Sequence, residues 1–331
     1  MLVELEKEVW SSSRPSVSVV IPFLDEEETV NILHERVASI LKAEGVSYEI
    51  IFVDDGSRDR GPAKVRLLAG EHDNVSLLRF RRNYGKAAAL SAGFREAAGD
   101  IIITMDADLQ DDPAELPRFI EKINDGADLV CGWKQVRLDP IDKTWPSKLF
   151  NAAVNRTFGL KLQDHNCGFK AYRREVAKDI NLYGELHRFV PALAHAHGFQ
   201  IVELPVAHHP RRHGKSKYGV ERLVKGAFDL LTVSLTTRFR SRPLHLFGAS
   251  GLLLGGLGFL VLAYLTVQWI MGIPIGDRPL LLFGILMTIA GGQLISTGLI
   301  AELIIARTIS EPDKYHVAEC VRGSERRLAA V

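Results

Sequence analysis

From residue 16 to about residue 210, short apolar runs alternate with amphipathic stretches. "SVSVVIP" (16–22) is a nearly continuous apolar run ending in Pro, as expected of a buried parallel strand. "EEETVNILHERVASILKAEG" (26–45) follows with helical periodicity, acidic residues in its first turn and Gly45 beyond its end. The same change of period recurs. "YEIIFVDDGS" (48–57), "NVSLLRF" (74–80), "DIIITMDAD" (100–108) and "ADLVCGW" (127–133) predict strands. "GPAKVRLLAG" (61–70), "GKAAALSAGFREAAG" (85–99) and "PAELPRFIEKIND" (113–125) predict helices. Such alternation predicts βαβ units and an α/β fold with a mostly parallel sheet covered on both faces.

Beyond residue 132 the pattern loosens. "WKQVRLDPIDKTWPSK" (133–148) predicts a loop leading into a helix near 146–158. "CGFKAYRRE" (167–175) predicts a strand and "ELHRFVPALAHAHG" (185–198) a helix. "FQIVELPVAHHP" (199–210) predicts a strand that runs into the basic loop "RRHGKSKYG" (211–219). The stretch 216–242 predicts amphipathic helices lying at a membrane interface.

The pattern then changes in kind. No Asp, Glu, Lys or Arg occurs between Arg242 and Asp277. Two apolar runs, about 244–270 and 279–306, each exceed the roughly 20 residues needed to cross a bilayer as a helix. "RFRSRP" precedes the first, and Arg307 and Lys314 follow the second. The positive-inside rule therefore places both ends in the cytoplasm, in a multi-pass protein of the cytoplasmic membrane. Glu302, late in the second run, is expected to pair with Arg307 or to face another helix. Small residues in both runs suggest self-association as a homo-oligomer. The expected divisions are an N-terminal extension (1–15), an α/β domain (16–215), juxtamembrane helices (216–242), two membrane helices (243–308) and a cytoplasmic tail (309–331).

Composition adds exclusions. A formal net charge of +1 over 331 residues argues against a nucleic-acid binder. Cys131, Cys167 and Cys320 lack metal-ligand spacing and are expected to be small buried hydrophobes in a reducing compartment. The N-terminus has no apolar core and is not a signal peptide.

Ligands of parallel sheets bind beyond the carboxyl ends of the strands. Two acidic clusters fall there, Asp54-Asp55-Gly56-Ser57 and "DADLQDDP" (106–113). Alternate residues leaving a strand point the same way, so Asp106 and Asp108, with Gln110, can converge on one hard cation, Mg²⁺ or Mn²⁺. Asp111 and Asp112, just before Pro113, are expected to cap a helix instead. Asp54 and Asp55 read both as turn residues and as acceptors for a base N–H or a ribose hydroxyl.

Taken in order, "VSVVIPFLDEEETV", "YEIIFVDDGSRD", "NYGKAAALSAGFREAAGD", "DADLQDDP" and "GFKAYRRE" resemble glycosyltransferase family 2, of GT-A fold. "ELHRFVPAL", "RRHGKSKYG" and the two-run tail narrow the resemblance to polyprenyl-phosphate glycosyltransferases, over about residues 16–307. Such enzymes move a sugar from a nucleotide-sugar to the phosphate of a membrane polyprenol, with inversion. The resemblance assigns the metal to Asp106, Asp108 and Gln110. It assigns the UDP- or GDP-sugar to Pro22, Leu24, Glu26, Asp54, Asp55, Gly85, Lys86, Asp106 and Ala107. Leu24 stands where relatives often carry Tyr, which removes a stacking surface for the base. Asp164 is the family-like position for an acid near the sugar. Glu185, His187 and Arg188 are sugar or acceptor candidates.

The acceptor, undecaprenyl or dolichyl phosphate, is a monoester with a second pKa of roughly 6 and is largely dianionic at neutral pH. It needs cationic positioning more than a base. Two basic groups are expected to supply it: Lys134, Arg137 and Lys148, and Arg211, Arg212, Lys215 and Lys217 with Ser216. The resemblance also implies an oligomer that reaches a tetramer. Two other readings are a processive polysaccharide synthase and a non-catalytic nucleotide-sugar-binding scaffold. The first is disfavoured by the few membrane runs, the second by the intact acidic set.

Overall fold

The computed structural model describes residues 15–135, 141–207, 221–237, 243–276 and 278–308, without the side chains of 141–149, 221–225, 227 and 306. It divides into two compact units, one ending at Ser234 and the other beginning at Leu235.

The first unit is built on a seven-stranded sheet in the order β3-β2-β1-β4-β6-β5-β7. Its strands are β1 (Val17–Phe23), β2 (Tyr48–Asp54), β3 (Val75–Arg79), β4 (Ile101–Thr104), β5 (Leu129–Lys134), β6 (Lys170–Arg173) and β7 (Ile201–Val206). All pairings are parallel except those of β6, which is antiparallel to β4 and β5. The helices are α1 (Val30–Ala43), α2 (Gly61–Glu71), α3 (Lys86–Glu96), α4 (Leu116–Asn124), α5 (Ile141–Phe158), α6 (Arg174–Asp179), α7 (Val190–Ala196) and α8 (Glu221–Thr236).

Strand periodicity of two sends alternate residues into two cores. Val19 and Ile21 of β1 pack with Leu33 and Val37 of α1 and Phe119 of α4 on one face. Val20, Ile51 and Ile102 pack with Leu90 and Phe94 of α3 and Tyr172 on the other. Both faces are thus covered, as parallel sheets require.

The parallel strands end on one edge of the sheet, and antiparallel β6 begins there. Thr104 and Cys131 both pair with Lys170, so the chain leaving β4 and the chain entering β6 are neighbours. That juxtaposition assembles the site.

Element types match the expected alternation, with local corrections. β4 stops at Thr104, so Asp106 and Asp108 lie in a turn and strand alternation does not aim them. α5 begins at Ile141, earlier than the expected start near 146. The stretch after Glu185 forms a 3₁₀ turn (Leu186–Phe189) before α7, not one helix.

The second unit holds α9 (Pro243–Ile270) and α10 (Pro279–Thr308), both long and apolar enough to cross a membrane. Their glycines face each other. A Cβ on Gly291 would lie 2.6 Å from the carbonyl oxygen of Gly251, and one on Gly258 would lie 2.6 Å from Thr288 Oγ1. These glycines serve packing within the hairpin, whereas a Cβ on Gly256 or Gly292 would meet nothing within 4 Å. Glu302 does face the other helix. Its Oε2 accepts the Leu244 N–H at 3.2 Å, satisfying an orphan amide in the first turn of α9.

Candidate active site

At the end of β4 the chain turns through Met105 and Ala107, both buried, and presents Asp106 and Asp108. Leu109 takes a left-handed conformation, φ 59°, which costs a branched residue roughly 1–2 kcal/mol and marks a constrained turn. The Lys86 ammonium forms an ion pair with Asp106 Oδ1. Burial alone would raise the Asp106 pKa, but Lys86, with Lys134 and His187, brings it down to about 2. Asp108 Oδ1 accepts the backbone N–H of Gln110 at 3.2 Å.

Gly168 explains how closely the strands bring these groups together. A Cβ there would lie 2.7 Å from both carboxylate oxygens of Asp106. Any other residue would push into that carboxylate.

Asp112 caps the 3₁₀ turn Pro113–Glu115 by accepting the Ala114 N–H at 3.0 Å, as expected. Asp111 does not. It is fully buried, with Lys134 Nζ 3.2 Å from its Oδ1. That contact has ion-pair distance without hydrogen-bond geometry, and neither carboxylate oxygen has a hydrogen-bond partner. Burial pushes the Asp111 pKa up, against the pull of Lys134. For Lys134, burial opposes the charge, but Asp111 and Asp106 outweigh it and its pKa rises. Lys134 therefore belongs to the acidic crevice.

Asp54 and Asp55 organise the neighbouring turn. Asp54, fully buried, accepts from the Ser57 N–H at 2.7 Å and from Arg79 Nε at 3.0 Å. Asp55 accepts the Tyr84 N–H at 2.7 Å and the Gly85 N–H at 3.0 Å, fixing the start of α3 and hence Lys86. Gly56 permits this approach, because at φ +83° a Cβ would lie 2.6 Å from the Arg82 carbonyl carbon. Pro22 is paired to Val53 in β1, and Leu24 and Glu26 follow, half-buried, beside the same turn.

Asp164 is buried on the loop entering β6, where its Oδ1 accepts the Asn166 N–H at 3.0 Å. Glu203 of β7 accepts the N–H groups of Gln163 and Asp164 at 2.8 and 2.9 Å. From α5, Asn151 donates to the Gln163 carbonyl at 2.7 Å and Asn155 to the Leu162 carbonyl at 2.8 Å. Lys170 is buried and donates to the Cys167 carbonyl. Burial, with Lys86, Arg188 and Lys170, lowers the His187 pKa to about 2, and its Nδ1 is buried without a hydrogen-bond partner. Arg188 pairs with Glu185 at 2.7 Å. Cys131 and Cys167 are buried, and burial raises both thiols to about 12, so they act as small core residues.

Sequence reasoning missed Glu203, Asn151, Asn155, Gly168 and Lys170. Lys170 alone left a signal, as a cation directly after Phe169 at the start of a strand. Arg137, Arg211, Arg212, Lys215, Ser216 and Lys217 lie outside the described residues, as do Cys320 and the Lys148 side chain.

The chain thus combines a mostly parallel α/β sheet, with acidic and cationic side chains gathered where its strands end, and two apolar helices, an architecture whose ligands bind at the carboxyl ends of the strands. Residues 18–180 match Glycosyl transferase family 2. The chain is 39% identical to dodecaprenyl-phosphate galacturonate synthase of Rhizobium johnstonii, over 90% of this chain and 89% of that one. It is also 39% identical to undecaprenyl-phosphate 4-deoxy-4-formamido-L-arabinose transferase of Pseudomonas fluorescens, over 87% of this chain and 84% of the relative. Among solved structures, it resembles Mycobacterium tuberculosis glucosyl-3-phosphoglycerate synthase in complex with Mn²⁺ and UDP-glucose. That match has TM-score 0.52 and 20% identity over 72% of this chain and 83% of the other, and it shows the fold alone. The chain belongs to glycosyl transferase family 2 and is a glycosyltransferase.

Proposed function

We propose that this glycosyltransferase moves a sugar from a nucleotide-sugar to the phosphate of a membrane polyprenol, at the cytoplasmic face, by one inverting displacement. The observation that carries the reading is the convergence of Asp106, Lys86 and Lys134 at the end of β4, in a chain that also has two helices fit to cross a membrane. The names of the two relatives supply the acceptor class.

A divalent cation, Mg²⁺ or Mn²⁺, fits Asp106 and Asp108. Both are hard oxygen donors in one turn, and the Lys86 ammonium already stands on Asp106 as a cation. Among the described residues no cluster of three His, Cys, Asp or Glu forms a ready-made cage. A cation held by one or two carboxylates and completed by substrate phosphates suits Mg²⁺. When bound, it supplies neutralisation of the diphosphate leaving group.

The chain's own residues do the rest. Asp55 and Gly56 hold the 82–85 loop in place, and Lys86 and Lys134 supply positive charge beside the donor. Asp164, held by Glu203, orients the acceptor near the sugar. The acceptor phosphate is a dianion, so it needs orientation and screening in preference to proton removal.

The test is transfer from radiolabelled nucleotide-sugars to polyprenyl phosphate in membranes carrying wild type or Asp108→Ala. The expected result is transfer by wild type from one donor and a loss of at least about a hundredfold in the variant. Absence of transfer from every common donor overturns the enzymatic reading for this acceptor. Full transfer by the variant overturns the metal assignment.

A further inference from the structure

Lys86 is the first residue of α3, where a cation faces the positive end of the helix dipole. The N-cap, Gly85, has no side chain, and the Asp55 carboxylate takes up its N–H instead. The ammonium of Lys86 itself is answered by Asp106. Asp55 fixes the backbone on the preceding residue, Gly85, so the stem of Lys86 starts from a rigid point. Both members of the pair remain open to exchange, with side chains 31% and 32% exposed. The nearby Lys134–Asp111 pair is closed by comparison, at 16% and 0%.

We propose that Lys86 is a resident counter-ion which competes with the divalent cation for Asp106. In the donor-free protein the ammonium occupies the carboxylate and holds metal affinity down. A divalent cation on Asp106 sets two cations against one carboxylate. That position favours an anionic donor, whose diphosphate offers the ammonium a new partner. Lys86 thereby couples metal binding to donor binding. The inference rests on the metal reading above and assigns Lys86 a role in it that is separate from simple donor contact.

The experiment is Mn²⁺ titration of the purified full chain in detergent without nucleotide, with free Mn²⁺ read by electron paramagnetic resonance. Lys86→Met and Lys86→Gln are expected to bind Mn²⁺ roughly five- to tenfold more tightly than wild type, because competition and repulsion are both removed. Lys86→Arg, which keeps the charge, is expected to stay near wild type. Adding Asp106→Asn to Lys86→Met is expected to abolish the gain. Equal or weaker binding by both neutral variants overturns the inference and leaves the metal reading standing. A gain that survives Asp106→Asn overturns it too, because the metal then sits elsewhere. Failure of every protein to bind Mn²⁺ overturns the metal reading and this inference with it.

Discussion

The Asp55 carboxylate accepts the backbone N–H of Gly85 at 3.0 Å, joining the turn after β2 to the first turn of α3. The same carboxylate takes the Tyr84 N–H at 2.7 Å. A residue proposed for the nucleotide thus also builds the platform for Lys86. Asp55→Ala removes the acceptor of both amides and is expected to cost about 1–3 kcal/mol. Asp55→Asn, which keeps one acceptor oxygen, is expected to cost less. Thermal unfolding midpoints check the order.

Gly168 and Gly56 separate function from stability. Gly168→Ala places a methyl group 2.7 Å from both oxygens of Asp106. Displacing that carboxylate is expected to reduce sugar transfer roughly tenfold to a hundredfold. Gly56→Ala meets backbone atoms at 2.6 Å and a φ of +83°, which cannot relax as a side chain does. Its expected signature is a lowered unfolding midpoint. Transfer rates and unfolding midpoints measured on both variants make the comparison.

Glu203 acts on Asp164 through two backbone amides. Glu203→Ala is expected to lower kcat more than it raises the donor KM if the Asp164 loop, whose anchor it removes, lies near the sugar as proposed. Glu203→Gln retains an acceptor and is expected to restore much of the rate. Burial raises the Glu203 pKa, so protonation begins at a higher pH than for a free glutamate. The acid limb of the wild-type pH–rate profile is expected to lose this contribution in Glu203→Gln.

His165 predicts a dependence of stability on pH. It is fully buried, Asn155 Oδ1 lies 2.9 Å from its Nε2, and burial lowers its pKa from 6.5 to about 4. The unfolded chain takes up a proton below pH 6.5, whereas the folded protein resists until about 4. Stability is therefore fully present above 6.5 and falls as pH drops toward 4. The loss totals about 3 kcal/mol, at 1.36 kcal/mol per unit. His165→Gln is expected to flatten unfolding midpoints measured across that window.

Legibility in the sequence followed the range of the interactions. The strand ending at Asp54 and the helix opened by Pro113 declare themselves by neighbours a few residues away. Asp112 was readable as a cap for the same reason. Asp111, one position earlier, was not. Its partner Lys134 lies at the end of β5, and no local pattern connects the two. The acidic turn is legible because its carboxylates are adjacent in sequence, although β4 stops at Thr104 and does not aim them. Glu203 escaped notice because a glutamate on an edge strand is ordinary until its bonds to Gln163 and Asp164 are seen.

The sequence by itself determined the α/β alternation, the two apolar helices and the acidic chemistry at the strand ends. Those properties reside in period, composition and adjacency, which each segment carries alone. Only the tertiary structure decided that β6 enters antiparallel between β4 and β5, bringing Gly168 against Asp106. It also decided that Lys86 reaches Asp106 across 20 residues of chain. Strand order follows from how whole faces pack into two cores, and that order sets which loops meet.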